Sequence, residues 1–126
     1  MKLIFAPTNN HHDYTINGET INGIDLSDVL EGEKWDLPEL RAVGIREVSR
    51  QDGELLAVLQ QKHGKMPGIS QDWESGEPID AEDYDPDQCY IRAAPLFGVA
   101  GWHWERGEDM AWNAVLDLEP EEEAEQ

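Results

Sequence analysis

VGIREVSRQDGELLAVLQQ, residues 43–61, is the stretch that decides the fold. Two apolar-rich runs, Val43 to Arg50 and Glu54 to Gln61, flank Gln51-Asp52-Gly53. Asp-Gly suits a type I′ turn, in which both central residues take positive φ, and that turn matches the twist of paired strands. The stretch therefore reads as a β-hairpin. A rival stays open, because Ile45, Val48, Leu55, Leu56 and Leu59 also fit helical spacing. That helix would carry Gly53 in its middle, at a cost of about 1 kcal/mol. The hairpin is the favoured reading, and with it a β-rich chain.

Working outward, the same turn chemistry recurs on the N-terminal side. Lys2 to Phe5 reads as a first strand stopped by Pro7, and Asn9 to Asp13 as a polar loop. Asn17-Gly18 separates Tyr14-Thr15-Ile16 from Glu19-Thr20-Ile21, and these β-branched and aromatic flanks predict another hairpin. Asn22-Gly23 leads into the alternating Ile24-Asp25-Leu26. Ser27 is placed to cap a helical turn over Asp28 to Leu30, ended by Gly32. Asp36-Leu37-Pro38 is a breaker.

On the C-terminal side the chain changes character. Residues 62–88 hold His63-Gly64, Pro67-Gly68, Ser75-Gly76, Pro78 and Pro86. Asp72, Glu74, Glu77, Asp80, Glu82, Asp83, Asp85 and Asp87 follow one another with no basic residue between them. This reads as a long irregular acidic loop, of the kind that is usually functional or mobile. Trp73 has polar neighbours, so it is either an anchor into the core or an exposed ring. Beyond it, Trp102-His103-Trp104 and Trp112 to Leu118 alternate around Arg106-Gly107. A third hairpin would place Trp102, Trp104, Trp112, Ala114 and Leu116 on one face, while a helix over Asp109 to Leu116 is nearly as well supported.

The expected architecture is thus mainly β, with α+β as the variant: a small single domain of antiparallel hairpins with one or two short helices. Residues 1–118 form the domain, 62–88 its acidic loop, and 119–126, rich in Glu, a disordered acidic tail. The expected core is Leu3, Phe5, Ile16, Ile21, Ile24, Leu26, Val43, Ile45, Val48, Leu56, Val58, Trp102, Trp104 and Leu116.

Charge narrows the partners. With 28 acidic against 9 basic residues, the chain carries a formal −19. Such a field repels nucleic acid and anionic membrane and attracts basic surfaces. No stretch approaches the roughly 18 apolar residues of a membrane span. The opening Met1 to Pro7 has too short an apolar run for a signal peptide, so the expected location is inside the cell that makes the protein or in a particle assembled there.

Chemistry-bearing patterns are few. Asp83, Asp85 and Asp87 alternate like the start of a calcium loop, but the positions that would need Gly and Glu hold Gln88 and Ala94. His11, His12, His63 and His103 lack zinc-ligand spacing, and Cys89 is the one cysteine. No nucleophile elbow and no glycine-rich phosphate loop occurs. Carboxylate pairs are too common here to single out a glycosidase pair. The residues therefore predict no enzyme, no catalytic residue, no metal and no cofactor.

Several short segments, in this order, carry a resemblance: Met1 to Pro7, Ile16-Asn17-Gly18-Glu19, Gly23-Ile24-Asp25-Leu26-Ser27, Leu30-Glu31-Gly32, Arg50-Gln51-Asp52-Gly53-Glu54-Leu55, then His63-Gly64 and Glu77-Pro78-Ile79. Over roughly residues 1–80 the chain resembles small uncharacterised proteins of tailed phages and prophages, often encoded near tail genes. Residues 88–118 lie outside that pattern. The resemblance implies a phage setting and carries over no catalytic residue.

Two functions follow as expectations. One is a phage accessory or structural protein acting by protein–protein contact in tail or tail-fibre assembly, by docking or strand addition, with a tail component as partner. The alternative is an acidic mimic of nucleic acid that occupies a basic host protein. The contact residues would be Asp72, Trp73, Glu74, Glu77, Asp80, Glu82, Asp83, Asp85 and Asp87, with the eight carboxylates alone carrying the mimicry. A third reading, a ligand-binding β domain, would need Trp73 exposed beside other exposed rings.

Overall fold

In the computed structural model, which describes residues 1–66, 72–93 and 101–117, the 43–61 stretch is a hairpin. Strand β6 (Glu47–Gln51) pairs antiparallel with β7 (Glu54–Lys62). Asp52 and Gly53 form the turn with φ of 53° and 80°, the doubly positive pair that a type I′ turn requires. The helical alternative is absent.

Around this hairpin lies a five-stranded sheet in the order β5-β6-β7-β1-β9, where β5 is Lys34–Trp35, β1 is Lys2–Thr8 and β9 is Ile79–Asp80. The β1–β7 pair is parallel, with Leu3 opposite Ala57 and Phe5 opposite Leu59. The sheet's other pairings are antiparallel. β1 runs past Pro7, which does not stop it as expected. Thr8 accepts a hydrogen bond from the His63 N–H on the β7 side. Alternation then turns the Pro7 nitrogen to the opposite edge, beyond the reach of β9, where the missing N–H costs no ladder bond.

The Asn-Gly pairs build a meander: β2 (Ile16–Asn17), β3 (Thr20–Ile21) and β4 (Ile24–Asp25). The second turn is as expected, with Asn22 and Gly23 at φ of 51° and 82°. The first is offset by one residue. Asn17 pairs with Thr20, so Gly18 and Glu19 are central and only Gly18 takes positive φ, the pattern of a type II′ turn. Ser27 caps no helix. Its N–H donates to the Asp25 carboxylate, and the chain makes a tight turn that buries Val29. The short helix α1 (Pro38–Ala42) starts where Pro38 occupies a first-turn position that needs no N–H donor. It buries Leu40.

The core gathers Leu3, Phe5, Ile21, Leu26, Val29, Leu40, Ile45, Val48, Leu55, Ala57 and Leu59 on one face of the sheet. Each large side chain buried there contributes about 1.5–3 kcal/mol. In β7 the inward residues are Leu55, Ala57, Leu59 and Gln61, whereas the expected Leu56 and Val58 point outward and are only half-buried. The run Leu55 to Leu59 is apolar at every position, so alternation could not reveal its inward face. Of the other expected core residues, Ile16, Ile24, Val43, Trp102 and Trp104 are half-buried and Leu116 is exposed.

Strands β11 (Trp102–Arg106) and β12 (Trp112–Leu116) form the third hairpin. Cross-strand pairs Trp102–Leu116, Trp104–Ala114 and Arg106–Trp112 put the five expected residues on one face. The hairpin is stitched to the end of β7 by Gly64 N–H to Trp112 C=O and Ala114 N–H to Lys65 C=O. Two chain features expected from the sequence lie outside the described residues: the 119–126 tail, and residues 67–71 of the acidic loop.

Candidate functional site

The acidic segment is fastened to the fold at several points. β8 (Trp73–Glu74) pairs with β10 (Arg92–Ala93), and β9 pairs with the start of β1. Between them a Cβ at Gly76 would collide with the Tyr90 carbonyl oxygen, so the backbones touch there and only glycine fits. After β9 comes a 3₁₀ turn, Ala81–Asp83. These elements replace the uniformly irregular loop expected for this stretch.

Its root is aromatic. Tyr84 and Tyr90 both stack on Phe5, with ring centroids 5.4 and 5.0 Å away. The Tyr90 hydroxyl accepts from the Asp85 N–H at 2.9 Å and donates to the Asp83 carbonyl. Burial pushes the Tyr84 hydroxyl up to about 12. The buried Gln61 amide holds the return path, donating to Gln88 C=O at 2.9 Å and accepting from Tyr90 N–H at 2.6 Å.

All eight acidic residues from Asp72 to Asp87 are exposed. Glu77 pairs with Arg92 at 2.9 Å and Asp80 with Lys2, while Asp87 reaches Arg106 only at 3.5 Å. Lys2 holds the Asp80 carboxyl below its ordinary range, and Asp80 raises the lysine in return. Asp85 spends one oxygen on the Asp87 N–H. Among the described residues no cation lies within ion-pair distance of Glu74, Glu82, Asp83 or Asp85. The result is a set of exposed carboxylates held on an anchored backbone.

Trp73 differs from its acidic neighbours. It is half-buried, stacked between His63 at 5.2 Å and Trp104 at 5.6 Å, and Trp102 meets Trp104 edge-on at 5.1 Å. Its indole N–H is buried without a partner. Trp73 therefore anchors the acidic segment to the hairpin, while Glu74, next along β8, faces solvent. The structure brings the eight carboxylates to the surface but turns the ninth candidate inward.

The chemistry available here is electrostatic. Burial pushes the Cys89 thiol up to about 12, leaving it a poor nucleophile near neutral pH. Among the described residues no three His, Cys, Asp or Glu side chains converge as metal ligands would. Sequence reasoning missed a second feature, a cavity beside Lys62, Arg106 and Trp112. Its residues come from β1's exit loop, β7, the acidic segment and the β11–β12 hairpin, and no spacing in the chain links them. No family model matches this chain, and no curated protein or solved structure is significantly similar to it.

Proposed function

We propose that this protein is a non-enzymatic, phage-encoded accessory or structural protein acting by protein–protein contact, with tail or tail-fibre assembly as its setting. The observation that supports this most is the anchored acidic face. Carboxylates on an ordered backbone lose little conformational freedom on docking, whereas a floppy acidic loop would pay for its ordering on contact. A basic surface on a tail component is the complementary partner. The setting rests on the resemblance of residues 1–80 to tail-associated phage proteins. Contact of this kind gains more in encounter rate and specificity than in raw affinity.

The same anchoring favours a second reading, mimicry of nucleic acid against a basic host protein. Glu74, Glu82, Asp83 and Asp85 are exposed and make no ion pair among the described residues. Fixed, unpaired carboxylates are what a groove built for phosphates would accept.

Capture from phage-infected lysate, at low and high salt, separates the two. Recovery of identified tail proteins that survives high salt supports the assembly role. Recovery of a nucleic-acid-binding host protein, lost at high salt or to competing duplex DNA, replaces it with mimicry. Equal capture by the combined variant Glu74→Gln, Glu82→Gln, Asp83→Asn, Asp85→Asn removes the acidic face from either account.

A further inference from the structure

Cations are scarce in this chain, yet two of them, Lys62 and Arg106, share the wall of one cavity of about 120 Å³ with His11 and His12. The cavity lies at the C-terminal ends of the parallel strands β1 and β7, where both strands leave the sheet. At roughly 30 Å³ per water it holds the equivalent of about four waters, which suits a ligand of a few heavy atoms.

Both cations are held loosely. The Arg106 side chain is only 22% exposed, and its guanidinium carbon lies 4.5 Å from the centroid of the Trp112 ring. Stacking fixes the plane of the guanidinium without using its N–H donors. Among the described residues its one acidic contact, Asp87, sits at the 3.5 Å limit of a hydrogen bond, and the Asp87 side chain is itself 88% exposed. Lys62 reaches the Asp109 backbone carbonyl at 3.2 Å and its carboxylate at 3.5 Å. The other carboxylate on the cavity wall, Asp13, is 91% exposed and engages His11. The anionic tips therefore lie toward water while the cationic groups lie against the wall.

We propose that this cavity binds a small free carboxylate. Its two oxygens match the fork of the guanidinium, whose terminal nitrogen exchanges the long Asp87 contact for a short one, and Lys62 supplies the second charge. Trp112 forms the flat apolar wall. No bond is made or broken; the site borders the acidic segment at Asp87, whose long contact with Arg106 the ligand displaces.

The test is an NMR titration of the full-length chain with sodium acetate, against sodium chloride at matched ionic strength and against inorganic phosphate. Saturable shifts of the Trp112 indole N–H and the Arg106 side-chain resonances with acetate, absent with chloride, are expected. Arg106→Gln should weaken acetate binding about tenfold or more, the loss of a charge-assisted pair. Arg106→Lys, which keeps the charge and loses the fork, should fall short of the wild type. Lys62→Gln, which leaves the Arg106–Trp112 stack in place, decides the matter if the Arg106 variants lose their folded spectrum, and should weaken binding in a folded chain. Linear shifts shared with chloride overturn the site. Acetate binding unchanged in folded Arg106→Gln or Lys62→Gln does so too. Equal or tighter binding of phosphate overturns the carboxylate class.

Discussion

The sheet built on β1, β6 and β7 and the tryptophan hairpin β11–β12 bury apolar surface in different ways. Among the described residues the largest fully buried side chains are Leu3, Phe5, Ile21, Leu26, Val29, Leu40, Ile45, Val48, Leu55 and Leu59, all from the first half of the chain. The hairpin instead offers Trp102 and Trp104 half-buried. Among the described residues, the buried side-chain polar atoms without a partner are His63 Nδ1, Trp73 Nε1, Arg106 Nε and Trp112 Nε1. They all lie where the end of β7, β8 and the hairpin meet. Each such atom forgoes about 1–3 kcal/mol. The first half is thus packed for stability. The second half carries the acidic segment on a less satisfied frame, as functional regions tend to be, and the cavity lies where the two halves meet.

The largest expected effect comes from setting one core residue against one hairpin residue. Leu59→Ala should cost about 3–4 kcal/mol, the loss of a fully buried side chain plus the cavity it leaves. Trp102→Ala, at a half-buried site, should cost about 1–2 kcal/mol despite removing more atoms. Urea denaturation of both variants measures this, and equal losses would break the contrast.

A smaller effect sharpens it within the stable half. The buried Tyr14 hydroxyl donates to Gly44 C=O at 2.7 Å and accepts from the Gln60 N–H at 2.9 Å. It completes the edge of β7 beyond the point where β6 begins. Tyr14→Phe leaves both backbone groups short of a partner and should cost about 1–3 kcal/mol. A variant as stable as the wild type would show that water takes the hydroxyl's place. Burial also raises the Tyr14 hydroxyl above its ordinary value. Because the folded state resists losing that proton, stability should fall as pH rises past the unfolded tyrosine value of about 10.

The smallest effect belongs to the hairpin's exposed edge. His103 places Nε2 2.7 Å from Glu105 and Nδ1 against Asp117. Only an imidazolium can donate from both nitrogens, and Glu105, then Asp117, raise the His103 value above 6.5. The contribution is complete below the unfolded histidine value and disappears as pH rises through the raised folded one. An NMR titration should place the His103 midpoint above that of Asp117→Asn and lower it with added salt. An identical midpoint in the variant would remove the pair from the hairpin's account.

The acidic candidates show how far the site was legible. Asp72, Glu74, Glu77, Asp80, Glu82, Asp83, Asp85 and Asp87 were readable as exposed, because unpaired carboxylates are almost never buried. That they sit on an anchored backbone was not readable. The anchors are Phe5, Gln61 and Tyr90, which lie far apart in sequence from one another. Trp73 kept two readings because a ring with polar neighbours can turn either way. Its stacking partners His63 and Trp104 decided for the interior.

What the sequence determined by itself is local. Asn22-Gly23 and Asp52-Gly53 dictate type I′ turns because the φ requirement belongs to two adjacent residues. The alternation around Trp102-His103-Trp104 follows from strand geometry in the same way, and the charge is a sum over the chain. The tertiary structure alone decided the parallel pairing of β1 with β7, the inward face of Leu55, Ala57 and Leu59, and the meeting of Lys62 with Arg106 at one cavity. Those choices join segments about fifty residues apart, and they are made by which buried faces fit together once loop closure has been paid.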